Sequence, residues 1–406
     1  MESAKIIAKL ARMLHSVGLA EEFTQDALVT ALELWPKGGV PDNPGAWLMT
    51  TAKNRALDEL RRRKLVERKS ESIANDARLS TLVVPPDQHA DDDIGDDLLR
   101  LTFVACHPVL STEARTALTL RLLGGLSTGE IARAFLVPEA TIAQRIVRAK
   151  RTLTEARVAF EVPRAGELAT RLGSVLEVIY LIFNEGYTAT AGDDWMRPAL
   201  CEEALRLGRI LAELVPREPE AHGLVALMEL QSSRTGSRVD ATGKPILLLA
   251  QNRGRWNQLL IQRGLVALGR AEAHADALGP YALQAAIAAC HARARTAEET
   301  DWQRIVALYD ALATLTPSPV IELNRAVAVS MAFGPEAALE LVNALIREPR
   351  LQSYHLLPSV RGDLLEKLGR FAEARAEFTR AASIVENARE RTFLIGRASA
   401  CGAEVQ

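Results

Sequence analysis

The chain has 406 residues, 49 of them basic and 51 acidic, with 48% apolar side chains and four cysteines. That length calls for two to four domains. The near-neutral balance excludes a protein that coats nucleic acid through evenly spread positive charge, and Cys106, Cys201, Cys290 and Cys401 have neither disulfide-framework nor zinc-ligand spacing, as expected of free thiols in a reducing cytoplasm. Lys5 and Lys9 interrupt any leader-like apolar core, and the apolar piece at residues 245–250 is far too short to cross a membrane.

Residues 20–63 open the chain's organised part. Leu28, Ala31, Leu32, Leu34 and Trp35 close an amphipathic helix that Pro36-Lys37-Gly38-Gly39 is expected to end. Asn43-Pro44 starts a second helix through Trp47, Leu48, Ala52, Ala56 and Leu60 into the basic cluster Arg61-Arg62-Arg63-Lys64. Such a cluster attracts phosphate whatever the base sequence. Trp47 is either a stacking platform for an unpaired base or a core residue; taken alone, core is the better reading.

Residues 67–97 differ in composition. Pro85-Pro86 interrupts them, and Asp87, Asp91, Asp92, Asp93, Asp96 and Asp97 follow with no basic residue among them. One-sign charge without periodicity predicts a flexible acidic linker. A divalent-cation loop needs alternating ligands and a turn glycine, which this run lacks, so no metal and no cofactor are expected.

Residues 118–153 read as a helix-turn-helix. Ser127 and Thr128 are N-cap residues with Glu130 close behind, and Ile131, Ala132 and Phe135 form one apolar face. Leu136-Val137-Pro138 breaks the helix, Leu136 standing where a turn glycine is common. The next helix turns Ile142, Ile146, Ala149 and Leu153 inward and shows Thr141, Gln144, Arg145, Arg148, Lys150 and Arg151 elsewhere. A basic second helix after a tight turn is what insertion into a major groove requires. The alternative is an ordinary helical hairpin with a solvated basic face.

Together, AEEFTQDALVTALELW, NPGAWLMTTAKNRALDELRRR and the helix-turn-helix resemble, in order, regions 2 and 4 of the extracytoplasmic-function (ECF) sigma factors of the sigma-70 family. The resemblance covers about the first 155 residues. It implies that Gln25 and Asp26 lie on a helix facing RNA polymerase. Trp47, Asn54, Arg55, Arg61 and Arg62 would fall at the surface that melts and reads the −10 element, and Thr141, Gln144, Arg145, Arg148 and Lys150 on the helix that reads the −35 element. It implies core RNA polymerase and promoter DNA as partners.

Beyond residue 160 the chain is alanine- and leucine-rich and organised as short helices. In residues 354–387, Gly362, Leu365, Gly369, Phe371, Ala374, Phe378 and Ala381 fall where a tetratricopeptide repeat (TPR) places its packing residues. Ala326, Ala338, Val342 and Leu345 repeat the pattern more weakly, and residues 301–319 and 200–221 look like second helices of two more units. Three segments sit oddly for mere packing: 183–187 (FNEGY), 251–256 (QNRGRW) and 289–293 (ACHAR). They either line a partner-binding groove on a concave face or are structural, and the structural reading is preferred for each: Asn184 and Glu185 as a C-terminal helix turn, Arg253 and Arg255 as a solvated edge.

The expected organisation is therefore all-α: a region 2-like domain at 1–66, the acidic linker at 67–97, a region 4-like domain at 98–160, and a TPR-like helical extension at 165–400. The whole resembles ECF sigma factors with such an extension, which would regulate the sigma part or receive a regulatory protein or ligand. A TPR-containing helix-turn-helix regulator acting without polymerase is the alternative. Phosphate loops, nucleophile elbows and HExxH pairs are absent from the sequence, which argues against an enzyme.

Overall fold

Every regular element among the described residues is a helix. The structure, a computed structural model, describes residues 2–71, 92–135, 137–163, 165–188, 196–240 and 246–403. It divides into two units, Met1–Val178 and Ile179–Gln406.

The first unit is built on α1 (Glu2–Leu14), which packs against α2 (Val17–Gly38), α3 (Pro44–Glu71) and α4 (Asp92–Ala105). Ile6, Ile7 and Leu10 of α1 are fully buried, spaced to form one inward stripe. Ser16 caps α2 by accepting from Leu19 N at 3.3 Å. As expected, α2 ends within Pro36-Lys37-Gly38-Gly39, at the glycines and not at Pro36. The helix runs to Gly38 and stops at Gly39, whose φ of 85° few other residues adopt, with its N–H returning to Trp35 O at 2.9 Å.

The acidic segment is shorter than its composition suggests. α3 continues to Glu71 and α4 already begins at Asp92, while residues 72–91, with Pro85, Pro86, Asp87 and Asp91, lie outside the described residues. Asp97 is buried on α4, bonded to Arg100 at 2.7 Å and facing Arg12 of α1 at 3.4 Å. It therefore ties α4 to α1 instead of belonging to a solvated linker.

Next come α5 (Thr112–Leu122), α6 (Thr128–Phe135), α7 (Glu139–Glu155) and α8 (Ala165–Tyr187). The unit division falls inside α8, after Val178. The first part of α8, expected from sequence to begin the extension, completes the first unit's fold. Arg171 Nη2 donates to Phe103 O at 3.0 Å and Ser174 Oγ to Cys106 O at 2.9 Å. These are carbonyls at the C-terminal end of α4, which lack helical partners of their own. Arg115 of α5 donates to Ser174 Oγ and reaches Glu177 at 3.2 Å.

The second unit continues with α9 (Pro198–Leu214), α10 (Pro219–Ser232), α11 (Gln258–Ala273) and α12 (Pro280–Arg293). α10 is buried from Ala221 through Leu230 and packs against α9, α11 and α12. Glu220 at its start accepts from Tyr281 N at 2.8 Å and Ala282 N at 3.1 Å, so a side chain of α10 caps α12.

Then α13 (Trp302–Leu315), α14 (Pro319–Phe333), α15 (Pro335–Leu345), α16 (Leu356–Lys367), α17 (Phe371–Ile384) and α18 (Ala388–Ala403) pack each against the next. This sequential stacking buries one continuous core, as in helical-repeat architectures. The expected repeat positions fall inside it: Leu365, Ala374, Phe378 and Ala381 are buried, as are Ala326, Ala338 and Val342. Gly362 is required where α16 crosses α17, since a Cβ there would stand 2.9 Å from the Phe378 ring. No helix among the described residues is long and apolar enough to cross a membrane.

Candidate functional site

The helix-turn-helix is fixed at both its joints. Ser127 Oγ accepts from Glu130 N at 3.2 Å while Glu130 Oε2 accepts from Ser127 N at 2.8 Å, a reciprocal cap that starts α6. Thr128 Oγ1 donates to Glu139 Oε1 at 2.8 Å, holding the start of α6 to the start of α7. Ile142, Ile146, Ala149 and Leu153 are buried along α7, as their spacing predicts. Leu136 lies outside the described residues.

Thr141, Gln144, Arg145 and Arg148 follow one another at spacings of three and four and form a single stripe, Gln144 and Arg148 exposed and the other two half-buried. Arg151 is also exposed but is held by Glu155 at 2.6 Å. Lys150 does not join the stripe. It points to the side and pairs with Glu21 of α2.

On α3, Trp47, Asn54, Arg55, Arg61 and Arg62 recur near the seven-residue spacing that keeps them on one face. Trp47 is half-buried with its ring edge-on to Trp35 of α2, centroids 5.5 Å apart at 62°. It is thus neither fully core nor a free platform. Asn54, Arg55, Arg61 and Arg62 are exposed. Arg55 reaches Asp26 at 3.1 Å and donates to Thr30 Oγ1 at 2.7 Å, so the expected polymerase-facing and strand-opening residues meet where α2 crosses α3. Gln25 lies half-buried beside Asp26 on α2.

One feature of α2 was missed in the sequence. Its buried face is Ala20, Phe23, Thr24, Ala27 and Ala31. Val29 is 52% exposed and Leu32 76% exposed, so Leu32 and Leu34 are surface residues, not core. A helical wheel anchored on Phe23, Ala27 and Ala31 would have placed Val29 and Leu32 outside the buried arc. The result is an apolar surface next to Asp26, of the kind that marks a protein-binding face.

Within the same unit, Glu21 joins α2 to the helix-turn-helix. Its side chain is 6% exposed, and Oε1 accepts from Arg121 Nε of α5 at 2.6 Å while Oε2 pairs with Lys150. The carboxylate is therefore desolvated and matched by two cations. At the other end of the helix-turn-helix domain, Cys106 and Thr119 meet at 3.2 Å, and burial pushes the Cys106 thiol up to about 11, which leaves it unreactive.

In the second unit, the three odd sequence segments converge. Arg238 lies 3.6 Å over the Tyr187 ring, and Arg234 donates to the Tyr187 hydroxyl at 2.7 Å. Arg253 is buried, not a solvated edge: it donates to His291 O at 2.9 Å, Ala294 O at 3.0 Å and Thr300 Oγ1 at 2.8 Å. Of the two arginines, Arg255 is the exposed one. Asn184 and Glu185 lie within α8, which runs on to Tyr187, and Glu185 pairs with Arg197. His291 stands edge-on to Trp302, centroids 5.1 Å apart, and burial beside Arg234 and Arg253 holds its imidazole down to about 3. The convergence is a structural clamp on the end of α12. Cys106, Cys201, Cys290 and Cys401 are all free and buried. Among the described residues no group of acidic, histidine or cysteine side chains is placed to hold a metal.

Comparison with known proteins follows the same division. Residues 3–66 match Sigma-70 region 2 and residues 100–153 match Sigma-70, region 4. Residues 171–272 match a family of unknown function, DUF6596. An uncharacterized protein of Rhizobium meliloti (strain 1021) is 45% identical over 389 residues, spanning 95% of this chain and 90% of that protein. The ECF RNA polymerase sigma factor SigK of Mycobacterium ulcerans (strain Agy99) is 30% identical over 154 residues, 37% of this chain and 78% of that protein. A probable ECF RNA polymerase sigma factor SigI of Mycobacterium tuberculosis (strain ATCC 25618 / H37Rv) is 29% identical over 163 residues, 39% of this chain and 54% of that protein.

Proposed function

The chain belongs to the ECF sigma factors of the sigma-70 family, with an additional C-terminal helical domain, and from that premise we propose how its residues divide the work and how the extension regulates it. Membership makes it a transcription-initiation factor, not an enzyme, whose partners are core RNA polymerase and promoter DNA. It acts where polymerase acts, in the cytoplasm.

Thr141, Gln144, Arg145 and Arg148 read the −35 element in the major groove, the arginines able to fork onto guanine or phosphate. Asn54, Arg55, Arg61, Arg62 and Trp47 open and read the −10 element, the cations on phosphate and the indole beside an unpaired base. Gln25 and Asp26, with the apolar surface at Val29 and Leu32, dock on polymerase. Lys150 has a different part: it holds the recognition helix to α2.

The observation that carries the regulatory reading is the Glu21 contact. The −35 and −10 elements lie about 25 base pairs apart, on the order of 85 Å of duplex at 3.4 Å per step. A carboxylate of α2 bonded to both α5 and α7 ties the region 2 helices to the helix-turn-helix. In our reading this contact opens on promoter binding, and the extension sets how readily it does. That α8 serves both units supports an extension coupled to the sigma fold.

The test is reconstituted transcription. The full chain with core bacterial RNA polymerase should initiate at specific sites in its own genome, and Arg145→Ala with Arg148→Ala should abolish them. Removal of residues 179–406 should change promoter output or polymerase affinity. Unchanged values of both would overturn the regulatory reading, and duplex binding as tight without polymerase as with it would overturn the division of DNA contacts.

A further inference from the structure

The segment of unknown function contains a groove of about 760 Å³ between α9, α10 and α11, in the size range of small-molecule sites. Its walls carry Arg209 from α9 and Arg263 and Arg270 from α11, and His222 and His274 close one end with rings 6.2 Å apart. Arg263 and Arg270 are two turns apart on α11, so they share a face. At the floor lies Glu229 of α10, 2% exposed.

Glu229 is half used. Arg209 Nε and Nη2 donate to Oε1 at 2.9 and 2.7 Å, and Arg263 Nε stands 3.6 Å from that same oxygen. Oε2 is buried with no hydrogen-bond partner among the described residues. A desolvated carboxylate oxygen left unpaired is costly, and it is satisfied only by a donor. Meanwhile Arg263 and Arg270 are exposed along the wall, and Arg263 makes a long contact to Glu229. Guanidiniums so placed suit a carboxylate or phosphate bound through two oxygens.

We propose that this groove binds a small anion that also carries an N–H donor, the chemistry shared by α-amino acids and nucleotides. Arg263 and Arg270 take the anionic group. Glu229 Oε2, unpartnered among the described residues, accepts from the ligand's amine or base N–H. The site is the input of the regulation proposed above and rests on that reading for its purpose, not for its existence.

Calorimetric titration of the full-length chain tests this, with the α-amino acids as one arm, the ribonucleoside 5′-monophosphates as another, and inorganic phosphate as the control that lacks an N–H donor. The expected result is one-to-one binding of a member of one arm with Kd below about 1 mM, at least about tenfold tighter than phosphate. Arg270→Ala, at an exposed position that should leave the fold intact, and Glu229→Gln should each weaken it about tenfold. Binding by no member of either arm, binding no tighter than phosphate, or binding untouched by Arg270→Ala would overturn the proposal. Transcription with residues 179–406 removed reports separately on regulation, so a failure there leaves the binding result standing, and the reverse.

Discussion

Arg121 Nε and Glu21 Oε1 stand 2.6 Å apart, joining the helix before the helix-turn-helix to the second helix of the chain. Lys150 takes the other oxygen of the same carboxylate. One buried side chain thus holds both cations.

Glu21→Gln should lower the unfolding free energy of the full chain by roughly 3 kcal/mol, the scale for removing one partner from a buried ion pair. Dyes on α3 and α7 should move apart in the variant, as read by energy transfer. A urea melt and a dye distance both equal to those of the parent would refute the contact.

The exposed stripe on α7 should show itself through salt. In polymerase-bound promoter complexes, Arg148→Ala should reduce the slope of log affinity against log salt by about one if Arg148 meets a phosphate, or relax preference at one −35 base if it meets a base edge. Arg151→Ala should do less, because Glu155 already holds that guanidinium at 2.6 Å.

Where the sigma part ends can be measured. A chain stopped at residue 160 lacks Arg171 and Ser174, which satisfy the carbonyls of Phe103 and Cys106. It should melt several degrees below one stopped at Val178, since each lost hydrogen bond costs about 1 kcal/mol or more. Equal melting temperatures would place the end of the sigma fold before α8.

Acid should find His291. Its folded pKa of about 3 lies below the unfolded value near 6.5, so the unfolded chain binds the extra proton. Stability from this group is complete above pH 6.5 and falls as pH drops toward 3, by up to about 1.4 kcal/mol per unit. In His291→Gln the pH dependence of the melt across that window should flatten; an unaltered profile would show that the ring is solvated.

Buried thiols should resist alkylation. Burial raises Cys106 to about 11 and Cys201 to about 12, so native protein at pH 8 should take up no iodoacetamide at either residue by mass spectrometry. Both should label fully in denaturant.

Periodicity made the local structure legible. Ile142, Ile146, Ala149 and Leu153 are buried as their spacing requires, and so are Phe378 and its repeat partners. The stripe of Thr141, Gln144, Arg145 and Arg148 follows from the same arithmetic. What sequence did not carry is pairing across long separations. Lys150 looked like one more groove cation because Glu21 is far away in the chain, and Arg253 looked solvated because its acceptors are carbonyls of residues about forty positions on. Composition misled in one place: Asp97, read as the end of an acidic linker, is a buried helical residue between Arg12 and Arg100. The groove around Glu229 gave no signal at all, since its arginines lie on two separate helices.

The shared helix α8 also bears on how such a chain can be recombined. A gene fusion that exchanged extensions between sigma factors at the junction visible in the sequence, near residue 160, would leave behind the guanidinium and hydroxyl that finish the end of α4. The donor would carry those groups away, and the recipient would receive a helix cut to fit another partner. A sigma piece keeps those groups only when it carries residues through Val178, so the unit of inheritance for the sigma module is longer than the sigma motif itself.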